Sequence, residues 1–163
     1  AVFVRGWCAD VGSCEVEEEG DARGKREGWA VERGCPARSL GFQKNVPTWL
    51  TAADMVLVPS HAEPLGNATL EAMAHARPVI GGNVGGIPEM VVGEETGLLV
   101  PAKSPPDLAA AMERLLLDKP LREQMGQAAR QRCEELFSLE AHVAAVVRQY
   151  EIVLDRKPAA FLV

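Results

Sequence analysis

The chain has 163 residues, 47% of them apolar and 25% charged, and a formal net charge of −6. That is enough chain, at ordinary composition, for one globular domain with a real core. The acidic balance disfavours a general nucleic-acid binder, and the apolar runs stop well short of the roughly 20 residues a membrane-spanning helix needs.

Residues 1 to 7, AVFVRGW, predict a short strand. Residues 8 to 37 are rich in Gly, Glu, Arg and Cys and keep no helical period, while Gly12, Gly20, Gly24, Gly28 and Gly34 would each weaken a helix. They predict a loop or a weakly specified helix, with the acidic run Glu15 to Glu19 as a solvated face. SLGF, from Ser39, is a short strand. Val46 to Ala53 fits an amphipathic helix with Val46, Trp49, Leu50 and Ala53 on one stripe, which places Trp49 in the core. MVLVP, from Met55, is a continuous apolar run of the kind found in parallel strands buried on both faces.

A helix from about Gly66 to His75 follows, ending before Pro78. PVIG is the next strand, then GGNVGGIPEMV as a Gly-rich turn with a short helix carrying Glu89, then the strand TGLLV. Ser104-Pro-Pro-Asp107 signals a helix start, with Ser104 as the cap, and that helix runs to about Leu117. A second helix is expected from about Leu121 to Leu136. A third starts at Ser138 and carries the stripe Val143, Val146, Val147, Tyr150, Val153 and Leu154. The tail KPAAFLV predicts no structure.

Strands alternating with helices imply an α/β fold: a Rossmann-like parallel sheet flanked by helices, with further helices at the carboxyl end. Residues 1–163 are read as a single domain. The four cysteines, Cys8, Cys14, Cys35 and Cys133, form no CxxC pair and have no His at a ligand spacing. No metal site is expected from them. They read as free thiols of a reducing, cytoplasmic compartment.

The stretch SHAEPLGNATLEAMA, residues 60–74, carries the chemistry. Glu63 lies in the loop leaving a strand, and Glu71 on the second turn of the helix that follows. Both can face one ligand over that helix N-terminus, where free N–H groups and the helix dipole suit a phosphate or pyrophosphate. Carboxylates accept hydrogen bonds from hydroxyls, so sugar or ribose acceptors stand beside phosphate donors. The SHAEPLGN and GGNVGGIPE loops both leave carboxyl ends of strands, where ligands of such sheets bind. Gly85, Gly86 and Glu89 are therefore further candidates, although the glycines equally suit a turn and Glu89 an ordinary helix start. Asn83 reads as a turn residue and His61 as a loop residue.

From Gly41 to Val100, with AADMVLVPS before the glutamates and GGIPE and TGLLVP after them, the chain resembles the donor-binding half of group 1 (family 4) glycosyltransferases of the GT-B fold. The helical end to Leu154 is similar to the end of the same domain. The resemblance implies that Glu63, the first glutamate of an EX7E motif, contacts hydroxyls of the transferred sugar, and that Glu71 holds the ribose. It implies that the backbone of Leu65, Gly66 and Asn67 approaches the donor phosphates. It further implies retention of anomeric configuration with no metal and no cofactor, and a nucleotide-sugar substrate whose base is unspecified. The acceptor would be a glycan, lipid or small molecule, held by an N-terminal domain absent from this chain. The family's basic pair would also lie outside the chain, so the fragment is expected to be incomplete for catalysis. Residues 8–37 depart from the family's regular helix. Peripheral contact with a membrane is left open. A second reading is a non-catalytic Rossmann-like nucleotide-binding or interaction module, which silence toward nucleotides would support.

Overall fold

The computed structural model describes residues 2–4 and 43–155. The expectations for residues 8–37, for the strand at 39–42, for Cys8, Cys14 and Cys35, and for the tail lie outside those residues.

Strand β1 (Val2–Val4) is followed by α1 (Val46–Ala52), β2 (Met55–Val58), α2 (Asn67–Ala74), β3 (Val79–Gly82), α3 (Ile87–Met90) and β4 (Gly97–Val100). Three helices close the described chain: α4 (Pro105–Leu117), α5 (Lys119–Leu136) and α6 (Leu139–Asp155). The four strands form one sheet in the order β1-β2-β3-β4. β2, β3 and β4 are parallel, with Val56 opposite Val79 and Gly81 opposite Leu99. These three strands are the parallel sheet that the alternation of strands and helices implies, and β1 adds a fourth strand that runs antiparallel to β2, with Val2 opposite Leu57. Parallel neighbours need a crossover, which α2 and α3 supply between β2, β3 and β4. Among the described residues β1 is an edge strand with one neighbour, where antiparallel pairing on an otherwise parallel sheet is common.

The sheet separates two cores. Successive side chains of a strand point to opposite faces, so a strand covered on both sides is apolar throughout. All four residues of β2 are buried: Val56 and Val58 pack with Leu50, Met73, Ile87 and Met90 on one face, and Met55 and Leu57 with Ile80, Leu115 and Met125 on the other. Each such side chain stabilises the fold by roughly 1.5–3 kcal/mol on leaving water. Helix α5 serves both faces, with Met125 in one core and Ala129 and Cys133 in the other.

Helix ends follow local chemistry. α2 starts at Asn67 because Gly66 before it is left-handed, at φ +89°. α5 starts two residues earlier than expected, because the Asp118 carboxylate accepts the Leu121 N–H at 2.9 Å and Pro120 suits the first turn. Ser104 holds the N-cap position of α4 as expected, its carbonyl accepting the Leu108 N–H at 3.1 Å, while its hydroxyl donates to the Asp107 carboxylate rather than accepting a backbone N–H. Ser138 does cap α6, accepting the Ala141 N–H at 3.2 Å. Trp49 is also corrected, being 36% exposed while Leu50 and Ala53 are buried. α1 has only two turns, and the Val46, Leu50, Ala53 spacing fills its inward stripe, leaving Trp49 at the margin.

α6 stands apart from the cores. Its large apolar side chains, from Val146 at 40% to Leu154 at 81%, are exposed. Among the described residues no helix is long and apolar enough to cross a membrane.

Candidate functional site

Because β2 and β3 are parallel, the loops that follow them leave the same edge of the sheet and run side by side. The first, Pro59 to Gly66, carries Glu63; the second, Asn83 to Gly86, carries the paired glycines. The Gly86 N–H donates to the Glu63 carbonyl at 3.0 Å. Gly85 has φ +53°, and a Cβ built on it would overlap the Glu63 carbonyl oxygen. Glu63 is half-buried, and the Ser60 hydroxyl donates to its Oε2 at 3.2 Å.

Gly66 then turns the chain into α2. At φ +89° it takes a conformation that side chains resist, and a Cβ there would come within 3.0 Å of the Met90 terminal methyl. The amino-terminal N–H groups of a helix lack intrahelical acceptors. In α2 the Gly66 carbonyl takes the Thr69 N–H at 2.8 Å. Asn67 at the start of the helix is exposed, as are Glu71 on its second turn and Leu65 in the loop. Glu63 and Glu71 thus flank the open amino end of α2, one from the turn and one from the helix. Thr69 is fully buried there with its hydroxyl unpartnered.

Glu89 lies on the exposed side of the short helix α3. Its recorded tie is through the backbone: Arg132 of α5 donates to the Glu89 carbonyl at 3.0 Å and to the Met90 carbonyl at 2.8 Å. The same guanidinium lies 6.0 Å from the centre of the Phe137 ring. Asn83 behaves as a turn residue, its N–H donating to the Val100 carbonyl at 2.8 Å. His61 is an exposed loop residue.

Arg132 and Ser60 went unnoticed in the sequence, since nothing in their spacing marks them. An open cleft of about 140 Å³ was also missed; it lies at the carboxyl ends of β2, β3 and β4, lined by Ser60, His61, Gly82, Lys103 and Ser104. Its Lys103 backbone is left-handed at φ +60°. Among the described residues, no three His, Cys, Asp or Glu side chains gather as metal ligands.

Cys133 of α5 packs beneath α2, 9% exposed, with its thiol 3.7 Å from the Leu70 carbonyl. Burial, and secondarily the neighbouring Glu134 carboxylate, pushes that thiol above its ordinary range. The exposed pair Glu94–Arg114 is bidentate, at 2.8 and 2.7 Å, and the hydrogen bonds to Arg114 hold the Glu94 carboxyl below the usual carboxylate range.

The family described as "Glycosyl transferases group 1" matches residues 19–132. D-inositol 3-phosphate glycosyltransferase of Corynebacterium diphtheriae is 50% identical over 78 residues, covering 48% of this chain and 18% of the relative. Among solved structures, sucrose-phosphate synthase from Thermosynechococcus elongatus superposes with a TM-score of 0.73 at 33% identity, covering 83% of this chain and 36% of that one. Anabaena HepE in complex with UDP superposes with a TM-score of 0.75 at 22% identity, covering 80% and 37%, and supports the fold alone. The chain spans well under half the length of each of these proteins.

Proposed function

The chain belongs to the group 1 glycosyltransferases, and on that premise we propose that it is the donor-binding half of an enzyme transferring a hexosyl group from a nucleotide-diphospho-sugar to an acceptor hydroxyl. The observation that carries this reading is the Gly66 turn, which leaves Glu63 and Glu71 on either side of the α2 amino terminus. Glu63 accepts hydrogen bonds from hydroxyls of the transferred sugar and Glu71 from the ribose. The backbone at Leu65, Gly66 and Asn67 lies against the pyrophosphate.

The chemistry is leaving-group stabilisation. Charge grows on the departing diphosphate, and preorganised N–H groups with the positive end of a helix take it up without reorganising. The family resemblance further implies transfer without a divalent ion and with retained anomeric configuration. A second domain, outside this chain, supplies the acceptor and the remaining basic groups. A cytoplasmic location suits a nucleotide-sugar donor. The relative named as a D-inositol 3-phosphate glycosyltransferase, 50% identical over 78 residues, favours this reading over a non-catalytic module.

Titration with UDP, GDP and ADP tests it. One of the three binds, and Glu71→Ala weakens that binding by about tenfold to a hundredfold, the worth of one or two hydrogen bonds to a charged acceptor. Glu63→Ala keeps nucleotide affinity and lowers transfer by the full-length enzyme. Unchanged affinity and turnover in both variants defeat the assignment, and silence from all three nucleotides in a folded sample favours an interaction module.

A further inference from the structure

We propose that Ser60 and the glycines of the Gly82–Gly86 loop form the seat that aims Glu63, with Ser60 as a positioning residue; this rests on the donor reading above. The two loops are matched residue by residue. A Cβ on Gly82 would come within 2.6 Å of the Ser60 carbonyl oxygen, and one on Gly85 would overlap that of Glu63. A Cβ on Gly86 would meet the Pro64 carbonyl oxygen at 2.9 Å and the Leu65 Cα at 3.0 Å. The parallel register of β2 and β3 thus continues past the strand ends as backbone on backbone, tied by the bond from the Gly86 N–H to the Glu63 carbonyl.

This contact fixes the Glu63 main chain. The Ser60 hydroxyl then fixes its carboxylate by donating to Oε2. A carboxylate has about four lone-pair sites. One bond from Ser60 leaves the rest for ligand hydroxyls while removing part of the side chain's rotational freedom. Gly85 and Gly86 accordingly hold the Glu63 backbone from behind.

Ordering a flexible side chain costs binding free energy, so prior ordering by Ser60 is worth about three- to tenfold in affinity. That gain belongs only to the sugar. The readout is the ratio of affinities for the nucleotide-sugar and its bare diphosphate, using whichever of UDP, GDP or ADP binds and its glucose conjugate. Ser60→Ala lowers this ratio by about three- to tenfold, leaves diphosphate affinity unchanged, and is rescued by Ser60→Thr. Gly85→Ala lowers the ratio too, whereas Gly93→Ala, whose added methyl would meet nothing within 4 Å, leaves it intact. If Gly85→Ala fails to fold, the Ser60 pair alone decides. A sugar-dependent gain in the parent chain that survives Ser60→Ala overturns the positioning role alone. No sugar-dependent gain in the parent chain overturns the donor reading and this inference with it.

Discussion

Cys133 has its chemistry set by its surroundings. A thiol 9% exposed and held in the neutral form by burial offers little thiolate to an electrophile. Its alkylation by iodoacetamide at neutral pH, followed by mass spectrometry of its peptide, is expected to run more than about tenfold slower in the folded chain than in urea. Equal rates would show that the α2–α5 contact opens readily. That Glu63 lies in a loop and Glu71 on the helix after it could be read in advance because Pro64 and Gly66 between them define a turn into a helix, and a local pattern is enough for that. Arg132 and the place of Gly85 could not, since each meets a backbone group from another element and such pairings leave no spacing in the chain. Ser60 is local to Glu63, three residues away, but only the folded loop turns its hydroxyl onto that carboxylate. Trp49 misled for a related reason: periodicity assigns a stripe, but a two-turn helix buries only part of it.

Among the elements, strand and helix order followed from the alternation of apolar runs, and boundaries shifted by one or two residues where Gly66 and Asp118 set the caps. The direction of β1 was not readable, since an edge strand's pairing depends on its neighbour and not on its own three residues. The element with the clearest consequence is α6. Its stripe of Val143, Val147, Tyr150 and Leu154 is exposed in this chain, an apolar surface of a kind that marks an interaction site. The isolated chain is expected to bind an apolar dye or to self-associate with rising concentration, and Val143→Glu with Val147→Glu to diminish both. A strictly monomeric chain with no dye binding would mean that α6 covers its stripe in solution.

At the scale of the molecule, an α/β domain with three parallel strands brings the loops that follow β2 and β3 to one edge, where the Gly66 turn starts α2. Fold and family were readable because the motifs occur in order along the chain. Acceptor choice was not, and the chain spans only 18–37% of the compared proteins. The central claim concerns where the donor sits. A crystal structure of the chain soaked with a nucleotide-sugar is expected to show the diphosphate over the first turn of α2, the ribose at Glu71 and the hexose at Glu63. A donor lodged elsewhere, touching neither carboxylate, would contradict it.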